Sequence, residues 1–231
     1  MLEIIDITPP VDEHLVRWPG LTPTSLRPAQ SMDRGDAVNV TDCSFCAHVG
    51  LHVDAPCHHI AGGIGTDQLS LGGMMGEAYV MDLTHVDTCI DVQDLAPLRD
   101  VESFDVLLLK TKNSTEKTTW QEFDETLVYL TPEAGQAVID QGVKGLVVDC
   151  LTVEKYGSDT CPTHKLLLKD NLIAVIEGAD LRRVAPGRYW FACLPMKLVG
   201  ADGAPARAVL VRDTEGNWLD AWRTAEKRFS K

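Results

Sequence analysis

Positive charge is scarce in this 231-residue sequence. Lys and Arg number 21 against 34 Asp and Glu, giving a formal net charge of −13. Affinity for nucleic acid comes largely from basic side chains that neutralise phosphates, so no nucleic-acid partner is expected. The same deficit argues against binding to an anionic membrane surface. Long apolar runs are missing too, since none approaches the ~20 residues needed to span a bilayer. The N-terminal MLEIIDITPPVDEH has neither the basic region nor the apolar stretch of about 7–15 residues found in a secretory signal. A cytoplasmic protein is the expectation. The seven cysteines are odd in number and scattered, which suits reduced thiols better than a disulfide framework. Cys43 and Cys46 form CSFC, but a zinc ribbon needs a second pair and none follows. Repeats, low-complexity tracts and Ser/Gly linkers are absent, which points to a single domain.

What is present reads as a mixture of strands and helices. Apolar runs bounded by turn residues predict strands at LEIIDI (2–7), EAYVMDL (77–83), FDVLLLKT (104–111) and GLVVDC (145–150). Further strands are predicted at LIAVIEG (172–178), RYWFACLPMKL (188–198) and ARAVLVRD (206–213). TPEAGQAVIDQG (131–142) predicts a helix, with Thr131 as N-cap, Pro132 in the first position, Glu133 in the first turn and Gly142 at the end. CPTHKLLLKDN (161–171) predicts a shorter one. Helices alternate with strands only in the second half, so the expected class is α/β: one domain over 1–213 with a mixed sheet curled towards a barrel and flanked by helices. Beyond it, Trp218, Trp222, Ala225 and Phe229 share one face of a helix over 214–231, which would pack on the core or on another subunit.

The densest chemical signal is AHVGLHVDAPCHH (47–59). It gathers His48, His52, Asp54, His58 and His59 in a chain with seven histidines. Neutral imidazole nitrogens and a carboxylate oxygen form a donor set that first-row divalent ions such as Zn and Mn accept. A straight strand cannot deliver them, because His48 and Asp54 would then stand about 20 Å apart. The chain must fold back near Gly50, where glycine permits it. A metal site is the reading that follows.

These residues also carry a family resemblance. HVGLHVDAPCHH is similar to the H-x-G-T-H-x-D-x-P-x-H signature of the cyclase family, whose members include bacterial kynurenine formamidases (arylformamidases) and isatin hydrolases. IIDITPPVDEHLVRWPG (4–20), GVKGLVVDCLTVEKYGSDTCPTHKLLLKDNLIAVIEGADL (142–181) and VAPGRYWFACLPMKLVGADGAPARAVL (184–210) resemble other segments of the family. The resemblance implies a mixed α/β domain around a strongly curved, barrel-like sheet, assembled as homodimers or homotetramers. It implies that His48, His52 and Asp54 ligate a first divalent ion, Zn or Mn. Asp54 would bridge to a second ion completed by His164 and Glu177, giving one or two ions per subunit. It places proton transfer on His58 and a substrate-lining aromatic at Trp18. Glu177, at the end of the apolar run AVIE, is otherwise awkward, since an unpaired buried carboxylate is costly. His59 is left without a role.

Some positions depart from the pattern. Leu51 replaces the Thr of G-T-H, which would remove a hydroxyl beside the site. Thr152 stands where many members carry Ser, and Cys57 and Cys150 are expected near the pocket. The implied activity is metal-dependent hydrolysis of an amide C–N bond in a small molecule, as in kynurenine formamidase. Opening of a cyclic amide, lactam or imide, as in isatin hydrolases, is the alternative. A polyketide-type cyclase or dehydratase, or a non-catalytic metal-binding protein, is a third possibility.

Overall fold

The run VLLLKT has apolar side chains at consecutive positions, the pattern of a strand buried on both faces. The computed structural model describes residues 1–117, 120 and 122–213, so the helix expected over 214–231 lies outside the described residues. The described strands are β1 (Leu2–Asp6), β2 (Ser25–Gln30), β3 (Val40–Ser44), β4 (His52–Asp54), β5 (Met75–Leu83) and β6 (Cys89–Ile90). They continue with β7 (Val106–Thr111), β8 (Tyr129–Leu130), β9 (Gly145–Val148), β10 (Ala174–Glu177), β11 (Gly187–Pro195) and β12 (Gly203–Asp213). Two α-helices accompany them among the described residues, α1 (Pro132–Asp140) and α2 (Pro162–Leu168).

Strands β12, β11, β5, β7, β9, β10 and β4 are hydrogen-bonded in that order, and β4 pairs back onto β12 to close a seven-stranded barrel. Pairing is parallel from β5 through β7 and β9 to β10, and antiparallel elsewhere in the ring. The long β12 serves three neighbours. Its first residues, Gly203–Pro205, pair with β4, and its last, from Val209 to Asp213, pair with β1 outside the ring.

Alternation along the strands divides the core in two. Val106 and Leu108 of β7 point inward to Val80, Val147, Phe191 and Leu210, filling the barrel. Leu107 and Leu109 point outward and pack with Ala134 and Val138 of α1 and Leu167 of α2. Each fully buried aliphatic side chain of this kind contributes roughly 1.5–3 kcal/mol. The expected mixed, curved sheet with flanking helices is the fold observed. Helix α1 starts as predicted, with the Thr131 hydroxyl accepting from the Ala134 N–H at 3.2 Å, and Gly142 follows it with φ of +80°.

Three features have no counterpart in the sequence reading. Strands β2 and β3 form a separate two-stranded hairpin that is largely exposed, so they lack the apolar alternation that marks a strand. Strand β4 is three residues long, too short for any periodicity, and β6 with β8 is shorter still.

Candidate metal centre

The site is built on β4, which lies between β10 and β12. His52 pairs with Glu177 of β10, and Asp54 pairs with Gly203 of β12. Val53 and Ile176 turn into the barrel, so alternation sends His52, Asp54 and Glu177 to the opposite face. Leu51 shares the side of Val53 and is packed inside the barrel. This corrects one expectation: the position that differs from the family signature faces the core, and no hydroxyl is missing from the site.

The chain folds back before β4, as its ligand spacing demands. The Val49 N–H bonds the Cys46 carbonyl at 3.1 Å, and Gly50 follows with φ of +58°. A Cβ on Gly178 would lie 2.3 Å from the Gly50 oxygen, so the end of β10 can approach the turn this closely only with glycine at 178. The His48 ring is delivered over Gly203, where a Cβ would stand 2.5 Å from its Cε1 atom.

Asp54 is the centre of the cluster. His48 Nδ1 lies 3.0 Å and His52 Nε2 3.4 Å from its Oδ1, and His164 Nε2 lies 3.5 Å from its Oδ2. Glu177 Oε1 is 3.1 Å from His164 Nε2, and its Oε2 is 3.5 Å from His52 Nε2. Asp54 is 1% exposed and Glu177 3%. Glu177 accepts the Val153 N–H at 2.6 Å, whereas among the described residues neither buried oxygen of Asp54 has a hydrogen-bond partner. His52 Nδ1 lies 2.9 Å from the Gly50 carbonyl, which can only accept, so Nε2 is the nitrogen left to face the carboxylates.

Helix α2 contributes His164, and Glu154 holds the start of that helix. The Glu154 carboxylate accepts the Thr163 N–H at 3.0 Å and the His164 N–H at 3.3 Å, and its Oε2 lies 3.5 Å from His164 Nδ1. Its own N–H donates to the Thr152 hydroxyl at 3.0 Å. Thr152 is thus spent on a local turn. The Cys150 thiol donates to the Thr152 carbonyl at 3.0 Å, and burial, then the charge of Asp149, pushes it well above the usual thiol range.

His58 sits on the short 3-10 turn Pro56–His58, with its ring centroid 4.1 Å from that of His48. His59 lies against His164, centroid to centroid at 4.3 Å. Burial, followed by the neighbouring His164 and His58, pushes His59 down to about 4, so it is a neutral imidazole at ordinary pH. Trp18 meets Phe123 edge-on at 5.3 Å and Tyr156 at 5.5 Å. The donor atoms sort into two trios, each with mutual distances within 4.8 Å: His52, Asp54 and Glu177, and His48, Asp54 and His58. Asp54 belongs to both. His52 is grouped with its cross-strand partner Glu177 rather than with His48, because His48 comes from the turn and leans over Gly203.

Sequence reasoning missed Glu154 and Asp202. Asp202 Oδ2 lies 3.1 Å from His48 Nε2 and 3.3 Å from His58 Nδ1. Each is one carboxylate among 34 acidic residues, and only folding brings it to the histidines.

The donor set fits a divalent cation. Burial alone would raise both carboxyls, but His164, His48 and His52 hold Asp54 well below the usual range, and His164 and His52 lower Glu177. Burial also works against charge on the imidazoles. Asp54, Glu154 and Glu177 nevertheless raise His164 strongly, and Asp54 and Glu177 push His52 up to about 10. Two buried carboxylates therefore demand counter-charge, which either protons on these histidines or a cation can supply. Unpartnered buried oxygens on Asp54 facing three imidazole nitrogens are what a ligand set presents.

The comparisons with known proteins agree with one another. The family model described as "Putative cyclase" matches residues 5–155. Kynurenine formamidase of Geobacillus thermodenitrificans is 35% identical over 206 residues, spanning 89% of this chain and 96% of that one. A structure from Bacillus stearothermophilus, described as a "predicted metal-dependent hydrolase", superposes with a TM-score of 0.77 at 30% identity, over 91% of this chain and 98% of that chain. Isatin hydrolase A of Labrenzia aggregata superposes with a TM-score of 0.77 over 91% of this chain and 93% of that one; at 18% identity it speaks for the fold alone. With a model match over most of its length and a relative 35% identical across nine-tenths of it, this chain belongs to the cyclase family and is a hydrolase of that family.

Proposed function

We propose that this protein hydrolyses the amide C–N bond of a small molecule with the help of one or two divalent ions, in the manner of a kynurenine formamidase. The observation that carries the reading is Asp54, whose two buried oxygens lack hydrogen-bond partners among the described residues, amid three histidines and Glu177. The ligands would be His48, His52, Asp54, His164 and Glu177. Three imidazoles and two carboxylates suit Zn and Mn alike. A cation held there supplies a Lewis acid that polarises a carbonyl and lowers the pKa of water.

The chain's own residues do the rest. His58 is partly buried beside Asp54, His48, Glu177 and Asp202, and burial is the main influence lowering it, so it is neutral and able to accept a proton near pH 7. It takes one proton from the attacking water as the C–O bond forms. It then returns that proton to the leaving nitrogen as the C–N bond breaks. Trp18, with Phe123 and Tyr156, forms an aromatic surface suited to the ring of an arylformamide. The relative's name favours a linear formamide over a cyclic amide. The substrate is a free small molecule, the setting cytoplasmic, and the protein a homodimer or homotetramer.

Metal analysis of the purified protein, then turnover of N-formylkynurenine, formanilides, cyclic imides and lactams with Zn or Mn, tests this reading. Formamide hydrolysis that stops on chelation and returns with metal is the expected result. Inactivity of fully loaded protein on every amide would overturn it.

A further inference from the structure

Asp202 lies in the segment leading into β12, far in sequence from the histidine cluster, and the function proposed above gives it no part. A single oxygen, Oδ2, lies 3.1 Å from His48 Nε2 and 3.3 Å from His58 Nδ1. An ionised carboxylate only accepts hydrogen bonds, so both nitrogens must be the donors. That fixes the tautomer of His58 and commits His48 Nε2 to Asp202. His48 Nδ1, 3.0 Å from Asp54 Oδ1, then carries a second proton in metal-free protein and would turn its lone pair to an ion when one is bound. His58 is left with its lone pair on Nε2.

We propose that Asp202 is a positioning residue that holds His48 as an Nδ1 ligand and His58 as an Nε2 proton acceptor through one shared carboxylate oxygen. The inference rests on the hydrolase reading for its purpose, and on geometry for its content. A half-exposed carboxylate is ordinarily a weak anchor, because side-chain entropy and solvent erode its bonds. Here the backbone removes much of that freedom. The Asp202 carbonyl accepts the Ala55 N–H at 2.8 Å, at the end of β4, and Gly203 next to it pairs with Asp54. On the other side, Thr66 clamps the same segment, donating its N–H to the Ala201 carbonyl at 3.0 Å and its hydroxyl to the Leu198 carbonyl at 2.8 Å. Asp67 Oδ1 accepts the Gly200 N–H at 2.8 Å. Asp202 is therefore held from both sides.

The arrangement has a chemical consequence. A free imidazole favours the Nε2–H form, which would turn a proton rather than a lone pair towards the reacting water. Asp202 reverses that preference for His58. When His58 gains its second proton, the charge forms beside a fixed carboxylate. Carboxylate partners of ligating histidines typically change metal affinity by about 10–100-fold, and Asp202 would serve His48 in the same way.

The test is long-range ¹H–¹⁵N NMR of the histidine side chains at pH 8, in metal-free and zinc-loaded protein, for wild type, Asp202→Ala and Asp202→Asn. Zinc affinity is measured by chelator competition, and kcat and KM on a formanilide at saturating zinc. In wild type His58 should carry Nδ1–H, and in zinc-loaded protein His48 should carry Nε2–H. Asp202→Ala should shift His58 to Nε2–H, weaken zinc about 10-fold or more, and lower kcat while KM stays near wild type. Asp202→Asn keeps one acceptor oxygen and should fall between the two. A wild-type His58 already in the Nε2–H form, or one unchanged by Asp202→Ala, overturns the proposal. Failure of zinc to bind wild type would instead overturn the metal reading and the His48 half, while the His58 tautomer in metal-free protein still decides the other half.

Discussion

Gly203→Ala is the sharpest perturbation this site offers. The backbone of Gly203 is not in the left-handed region, so alanine meets no conformational strain there. What it meets is the His48 ring, with a Cβ 2.5 Å from Cε1 and 2.9 Å from both ring nitrogens. Ordinary contact needs roughly 3.5 Å or more between carbons, so the ring must retreat by about 1 Å. That movement spends both of its polar contacts, the 3.0 Å approach to Asp54 and the 3.1 Å approach to Asp202. Overpacking of this size costs about 1–3 kcal/mol of stability, and misplacing a ligand imidazole should weaken metal binding by at least ~10-fold. Chelator competition and thermal melts of metal-free protein measure the two effects separately. The decisive comparison is a double-mutant cycle with His48→Ala, which removes the obstructed ring. In that background Gly203→Ala should cost almost nothing in stability and change metal affinity no further. Equal costs with and without the ring would refute the reasoning, as would a Gly203→Ala protein that binds metal like wild type.

Other expectations follow from the same geometry. His58→Ala should lower kcat by about 10²–10⁴-fold, the usual worth of a general acid–base, with metal content near wild type; loss of metal instead would move His58 into the ligand set. Filling the site with metal at pH 7.5 should release at least one proton, because His52 is raised to about 10 and must give up its proton to ligate. Calorimetry in buffers of different ionisation enthalpy reads this directly, and zero release would contradict the assignment. The sign for stability follows from the same residue. Its folded value is raised, so its contribution in metal-free protein is complete below about 6.5 and fades as pH rises through about 10. Denaturant melts of metal-free protein should show that loss, and metal-loaded protein should not. Thr131→Ala removes the cap of α1 and should lower stability by about 1 kcal/mol, leaving metal affinity unchanged.

Much of the barrel was legible because its strands are long and apolar. Runs such as FDVLLLKT and ARAVLVRD announce themselves by composition, and both lie in or beside the observed β7 and β12. The cluster in 47–59 was legible for a different reason: its donors are close in sequence, and Gly50 marks where the chain had to turn. Leu51 misled because a motif aligns positions without saying which face they occupy; alternation along β4 turns it inward. Glu154 and Asp202 were illegible because their significance lies in partners far along the chain. Asp202 is 154 residues from His48, and no local pattern distinguishes it from any other surface acid. The hairpin of β2 and β3 escaped notice because it is largely exposed and so carries no apolar period.

A ring is only as closed as its shortest member. Every circuit of hydrogen bonds around this barrel passes through three residues of β4, and two of those three are the proposed ligands His52 and Asp54. The clasp that would hold an ion is thus also the clasp that keeps the sheet circular. An ion bound at this site would therefore also latch the fold, at the seam where the proposed chemistry would occur.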